Sequence, residues 1–210
     1  MSRLHHQSWH ATALLGVLCA PAALGGAVTV NVTTRTGEAA QDAVIVLDPL
    51  DAAAPAHHDA AIIDQINKQF VPRVSVVRTG TAVTFPNSDH IRHQVYSFSK
   101  AKTFSLKLYA GSPSTPVVFD HPGLAVLGCN IHDSMVAFVA VVDSPYFAKT
   151  GDSGSVTLTV PAGRYRLLAW HPNAVATVAP REITVAAAPL SIPLRIDVDG
   201  AAATVAAWPE

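Results

Sequence analysis

The segment GCNIHDSM carries a thiol, an imidazole and a thioether at Cys129, His132 and Met135. Two imidazoles and one thiolate arranged trigonally, with a weak axial thioether, suit copper in both oxidation states. That keeps reorganisation small when an electron arrives or leaves. A second imidazole has to come from elsewhere in the chain. His93 is the best placed, at the start of an apolar stretch just after the turn residues Asn87-Ser88-Asp89. His90, three residues earlier, competes for the same role. His57-His58 lies in a polar connector, His121 precedes a Pro-Gly turn, and His171-Pro172 ends a strand-like run. These four read as solvated or structural. His132 is followed by Asp133, but a Cys-His-Asp nucleophile set this local, with no recognisable oxyanion loop, argues against a hydrolase. Leu127, Ile131 and Val136 make either an apolar rim around His132 or ordinary core.

Composition sharpens the case for ligation. The chain has two Cys and two Met. Residues 1–26 read as an export signal. Arg3 is followed by an apolar run from Ala11 to Leu24, and small residues then cluster at Gly25, Gly26 and Ala27. The run contains Pro21 and is too short for a comfortable membrane span. Cleavage there removes Cys19 and Met1, leaving Cys129 and Met135 as the lone mature cysteine and methionine. An unpaired thiol in an oxidising compartment needs burial or a ligand role. Loss of Arg3 from the 14 basic residues leaves 13 against 15 acids, a net charge of about −2. With no basic patch, nucleic acid is a poor partner, and stable membrane insertion after cleavage is not expected.

The elements that must position these residues read as strands. Ala, Val, Thr, Gly and Pro are plentiful, and short alternating runs are bounded by turn residues. VTVNVTT from Val28 and AVIVLDP ending at Pro49 read as a hairpin. Residues 51–61 form a small-residue connector. Strands follow at 74–77, 81–85, 93–98, 104–108, 117–119, 124–128 and 136–142. After KTGDSG at 149–154 come SVTLTV, RYRLLAW, EITV and SIPLRIDV, then an Ala-rich tail expected to fray, 199–210. Residues 62–67 stay unassigned. The fold class is all-β.

The order FVPRVSVVRTGTAVTF (70–85), Asn87, His93-Gln94-Val95, Pro122-Gly123 and CNIHDSM (129–135) resembles the plastocyanin and pseudoazurin group of cupredoxins. It is most similar to the cupredoxin-like proteins of the methylamine utilization type. The resemblance covers about residues 60–147. It implies a Greek-key β-sandwich with one mononuclear copper ion held by His93, Cys129, His132 and Met135. It also implies a non-enzymatic, periplasmic electron carrier that docks transiently with protein redox partners. Only two residues separate His132 from Met135, fewer than in plastocyanin-like loops. GEAAQDAVIVLDP and GSVTLTVPAGRYRLLAWHP resemble the opening and closing parts of a carboxypeptidase-regulatory-like, or transthyretin-like, sandwich. Residues 27–50 and 148–198 would then form a small β-domain interrupted by the cupredoxin at 60–147. Rival readings are a copper chaperone or storage protein, a structural β-module with a vestigial site, and zinc, which accepts Cys and His but not thioether.

Overall fold

Sheets in four layers build the molecule. The computed structural model describes residues 25–51, 59–113, 115–199 and 205–209, and among these every regular element is a strand. The expected export signal lies outside the described residues except for Gly25 and Gly26.

The strands, in chain order, are β1 (Gly26–Thr33), β2 (Val44–Pro49), β3 (Ala60–Ile62), β4 (Asp64–Ile66), β5 (Gln69–Val71), β6 (Val74–Arg78), β7 (Thr81–Thr84), β8 (Tyr96–Ser99) and β9 (Lys102–Ser105). They continue as β10 (Val117–Phe119), β11 (Gly123–Gly128), β12 (Val136–Val142), β13 (Phe147–Lys149), β14 (Ser155–Val160), β15 (Gly163–Trp170), β16 (Arg181–Val185) and β17 (Leu190–Arg195). The first sheet runs β14-β1-β17, and the second β13-β2-β15-β16. The third runs β6-β12-β11-β8-β9 and the fourth β10-β7-β3. A two-stranded hairpin, β4-β5, stands apart.

Side-chain alternation explains the stacking. In β1, Val28, Val30 and Val32 are buried while the residues between them are more exposed, so one face is wet. Those valines pack on Ile45 and Leu47 of β2 and Leu167 and Ala169 of β15, the core of the first two sheets. The alternate residues of the same two strands, Val44, Val46, Leu168 and Trp170, face the other way. They meet Val74 of β6 and Phe138, Ala140 and Val142 of β12. The remaining β12 residues, Ala137, Val139 and Val141, join Val83, Leu127 and Phe119 in the core between the third and fourth sheets. A strand covered on both faces has to be apolar throughout. VAFVAVV in β12 and LLAW in β15 satisfy that requirement.

Several expectations change. β1 and β2 are not a hairpin. β1 pairs with β14 and β17, and β2 with β13 and β15. A strand with one wet face belongs in an outer sheet, whereas a strand buried on both faces belongs in an inner one. The expected strand 93–98 begins only at Tyr96, and the one at 104–108 is shifted to β9. The unassigned stretch 62–67 contains β4, which pairs with β5 from Asp64↔Val71 to Ile66↔Gln69. Asn67 and Lys68 connect them at φ 53° and 57°. Two successive left-handed residues are the signature of a tight type I′ turn. The tail does not fray throughout, because residues 205–209 dock on the protein. Trp170 Nε1 donates to Ala206 O at 2.9 Å, and Trp208 packs on Trp170 with ring centroids 6.4 Å apart.

Candidate metal centre

Cys129 follows the last residue of β11, and Met135 precedes the first residue of β12. The antiparallel β11–β12 pair runs from Gly123↔Val141 to Gly128↔Val136. Residues 129–135 are therefore the closed end of a hairpin. The Met135 N–H donates to His132 O at 2.9 Å, which folds the loop back on itself. Across the sheet, Gly128 pairs with Tyr96 of β8. A Cβ on Gly128 would lie 2.7 Å from the Tyr96 ring, so any larger residue beside Cys129 would have to push that ring aside.

His93 is fixed from another direction. Its backbone exchanges two hydrogen bonds with Tyr109, N–H to O at 3.0 Å and O to N–H at 2.9 Å. The loop leading to it is stapled by the buried Asn87, whose Nδ2 donates to Ile91 O at 2.9 Å and to Tyr109 O at 3.0 Å. Tyr109 is itself locked. Its hydroxyl donates to Phe85 O at 2.6 Å and accepts from the buried Gln65 Nε2 at 2.6 Å. Burial, with the nearby Asp64 and Cys129 adding to it, pushes the Tyr109 hydroxyl up to about 12 against the opposing Gln65 hydrogen bond.

These supports bring His93, Cys129 and His132 together, with one donor atom from each lying within 4.8 Å of the others. Cys129 Sγ is 3.9 Å from His93 Nδ1 and 4.0 Å from His132 Nδ1. The two imidazoles meet edge to face, with ring centroids 4.9 Å apart and an interplanar angle of 62°. Metal–sulfur and metal–nitrogen bonds of about 2.3 and 2.0–2.1 Å put a sulfur and a nitrogen on a shared ion about 3.6–3.8 Å apart. The Sγ–Nδ1 separations are close to that spacing. One soft thiolate with two imidazoles is also the donor chemistry that copper takes. The residues therefore fit copper.

Burial is graded across the site. His93 is fully buried, Cys129 nearly so, and His132 only partly. Met135 is 1% exposed and packs in the same apolar cluster as Cys129. Leu127 belongs to the core, whereas Ile131 is 52% exposed beside His132. His90 is exposed and stands outside the three-residue group. His121 is exposed and bonded to Asp120. His171 is structural: its Nε2 donates to Gln41 O, and its Nδ1 accepts from the Asn173 N–H.

Sequence reasoning missed Asp89. Its Oδ2 accepts from His93 Nε2 at 2.8 Å and from the Lys68 N–H at 2.8 Å, while Oδ1 accepts from the Asn67 N–H at 2.6 Å. Burial opposes its ionisation. The donors at Lys68, His93 and Asn67 outweigh that and hold the carboxyl below its usual value.

No family model matches the chain, and no curated protein matches it closely. Several solved structures are similar to part of it. A copper-containing nitrite reductase from Thermus scotoductus SA-01 is 23% identical over 45% of this chain and 25% of its own length, with a TM-score of 0.37. The chain thus spans about a quarter of that enzyme. A purple cupredoxin from Nitrosopumilus maritimus is 26% identical over 40% of this chain and 99% of its own, with a TM-score of 0.34. A Cu(I) amicyanin variant is 20% identical over 46% and 97%, with a TM-score of 0.35.

Proposed function

We propose that the protein is a mononuclear copper protein of the cupredoxin type, and that it carries electrons between protein partners. The observation that carries the reading is the convergence of His93, Cys129 and His132 on one point from two loops 36 residues apart. His93, Cys129 and His132 would hold the ion, with Met135 as a fourth, thioether ligand. Bound copper would supply one-electron cycling between Cu(I) and Cu(II). The chain does the rest. Rigid strands on both sides of the Cys129–Met135 loop keep the donors in one arrangement for both charge states. The buried His93 and Cys129 exclude water. The half-exposed His132, next to exposed Ile131, offers the shortest route from the site to a partner. A small apolar contact of that kind suits transient docking. No substrate is transformed.

The sheet arrangement supports reading 60–147 as a cupredoxin domain set into a transthyretin-like domain made of 27–50 and 148–198, with 199–210 as its tail. Export to the periplasm by cleavage of residues 1–26 accords with a lone mature cysteine. Among the described residues no helix is long and apolar enough to cross a membrane. Voltammetry of the copper-loaded protein tests the carrier role. A reversible one-electron wave supports it, whereas copper that leaves on each cycle means a chaperone or storage protein.

A further inference from the structure

Asp89 lies beside the candidate metal site, and its carboxylate is engaged by donors from two parts of the chain. It accepts two backbone N–H groups from the β4–β5 turn and the Nε2–H of His93. Its own N–H donates to Asn87 Oδ1 at 3.1 Å, so the loop end that bears it is also fixed. Only 13% of its side chain is exposed. The turn that feeds it is costly. Lys68 sits at φ 57° without being glycine, a backbone conformation that other residues adopt only under strain. That conformation is what points the Asn67 and Lys68 N–H groups at one anion.

We propose that Asp89 is a positioning residue for the copper ligand His93. Its carboxylate locks His93 in the Nε2–H tautomer, leaves Nδ1 bare toward Cys129, and raises the electron-donating power of the imidazole so that Cu(II) is favoured over Cu(I). The assignment rests on the copper reading above. The chemistry is direct. An imidazole that donates its second N–H to a carboxylate becomes a stronger donor through the other nitrogen, and loss of such a partner weakens metal binding about 10–100-fold. The harder, more highly charged Cu(II) gains most from the added electron density. The β4–β5 turn, more than twenty residues before His93, is therefore a remote part of the metal site: it supplies the two N–H donors that keep Asp89 aimed at His93.

The test uses the full chain as wild type and as Asp89→Asn. Asparagine keeps the size and one acceptor oxygen but removes the charge. The expected result is that Asp89→Asn still binds copper through the thiolate, with its intense visible absorption retained. Cu(II) affinity, read by competition with a chelator, falls about 10–100-fold. Cu(I) affinity falls less, and the potential rises by about 59 mV for each tenfold by which the Cu(II) loss exceeds the Cu(I) loss. Equal losses for both ions at an unchanged potential would overturn the proposal, because a merely structural role destabilises the fold without discriminating between oxidation states. A second measurement needs neither variant nor copper: long-range proton–nitrogen NMR of the metal-free wild type. A proton on His93 Nε2 supports the assignment and a proton on Nδ1 overturns it. If the wild type binds Cu(II) without thiolate absorption, the electron-carrier reading fails separately, and the tautomer alone decides the role of Asp89.

Discussion

Three side chains converge on one point, and each is held by backbone that other residues have immobilised. Tyr109 is the most informative of these supports. It ties the His93 backbone to Phe85 and Gln65, and its hydroxyl is held neutral to about pH 12. The folded value exceeds the unfolded value of 10.0, so the neutral hydroxyl's contribution is fully present below about pH 10 and is lost as pH rises toward 12. Tyr109→Phe leaves the Phe85 carbonyl without its donor and is expected to cost about 1–3 kcal/mol at neutral pH. Denaturant titrations at pH 7 to 11.5 should show the gap between wild type and variant narrowing above pH 10; a gap constant across that range would mean the hydroxyl is not the group involved. That Cys129, His132 and His93 come together was legible in the sequence, from the thiol, imidazole and thioether of residues 129–135 and from an imidazole placed just after the Asn87-Ser88-Asp89 turn. Asp89 was not. It is one of several acids near the site, and nothing local distinguishes it until the Asn67–Lys68 turn arrives from more than twenty residues away.

At the scale of elements, strand existence was readable and strand pairing was not. β12 announced itself as a continuous apolar run, and the structure explains why: both of its faces are covered. β1 and β2 were assigned to one hairpin because a turn with Gly37 lies between them. A short turn does not identify partners when stronger pairings exist elsewhere. β3, β4, β5 and β13 have only three residues each, too few to show a period. The β4–β5 turn carries its own test. Lys68→Gly removes the left-handed strain while keeping the N–H that feeds Asp89. Relief of roughly 1–3 kcal/mol of strain outweighs the roughly 0.5–1 kcal/mol entropic cost of glycine, so stability is expected to rise modestly and the copper spectrum to stay unchanged. Thermal melts and absorption spectra of the two proteins check this, and a shifted spectrum would show that the Lys68 side chain matters to the site.

At the scale of the whole molecule, the two sandwiches are joined by apolar side chains rather than by a wet seam. Phe138 of β12 packs on Trp170 of β15 at 5.5 Å between centroids, under an Arg73 guanidinium 5.4 Å from the Phe138 ring. Domains joined through a shared apolar core are expected to unfold together. Calorimetry should give one transition whose calorimetric and van't Hoff enthalpies agree; two resolved transitions would refute a single cooperative unit. Phe138→Ala is expected to cost about 3–5 kcal/mol, and to lower the melting of the copper site and of the flanking sheets alike. The layer order follows from which strands have one wet face and which have none. The insertion of one sandwich into the other was read from sequence resemblance at both ends, and the interface between them was not legible at all, because both faces of an inner strand look alike in sequence.

The most direct test of the whole reading is the visible spectrum of residues 27–210 with one equivalent of Cu(II), recorded beside Cys129→Ser. The convergence of Cys129 with His93 and His132 calls for an intense thiolate-to-copper absorption in the wild type that disappears in the variant, with its position reporting how strongly Met135 engages. A weak or absent band that is the same in both proteins would mean that the thiol does not bind copper, and that this cluster is not an electron-transfer centre.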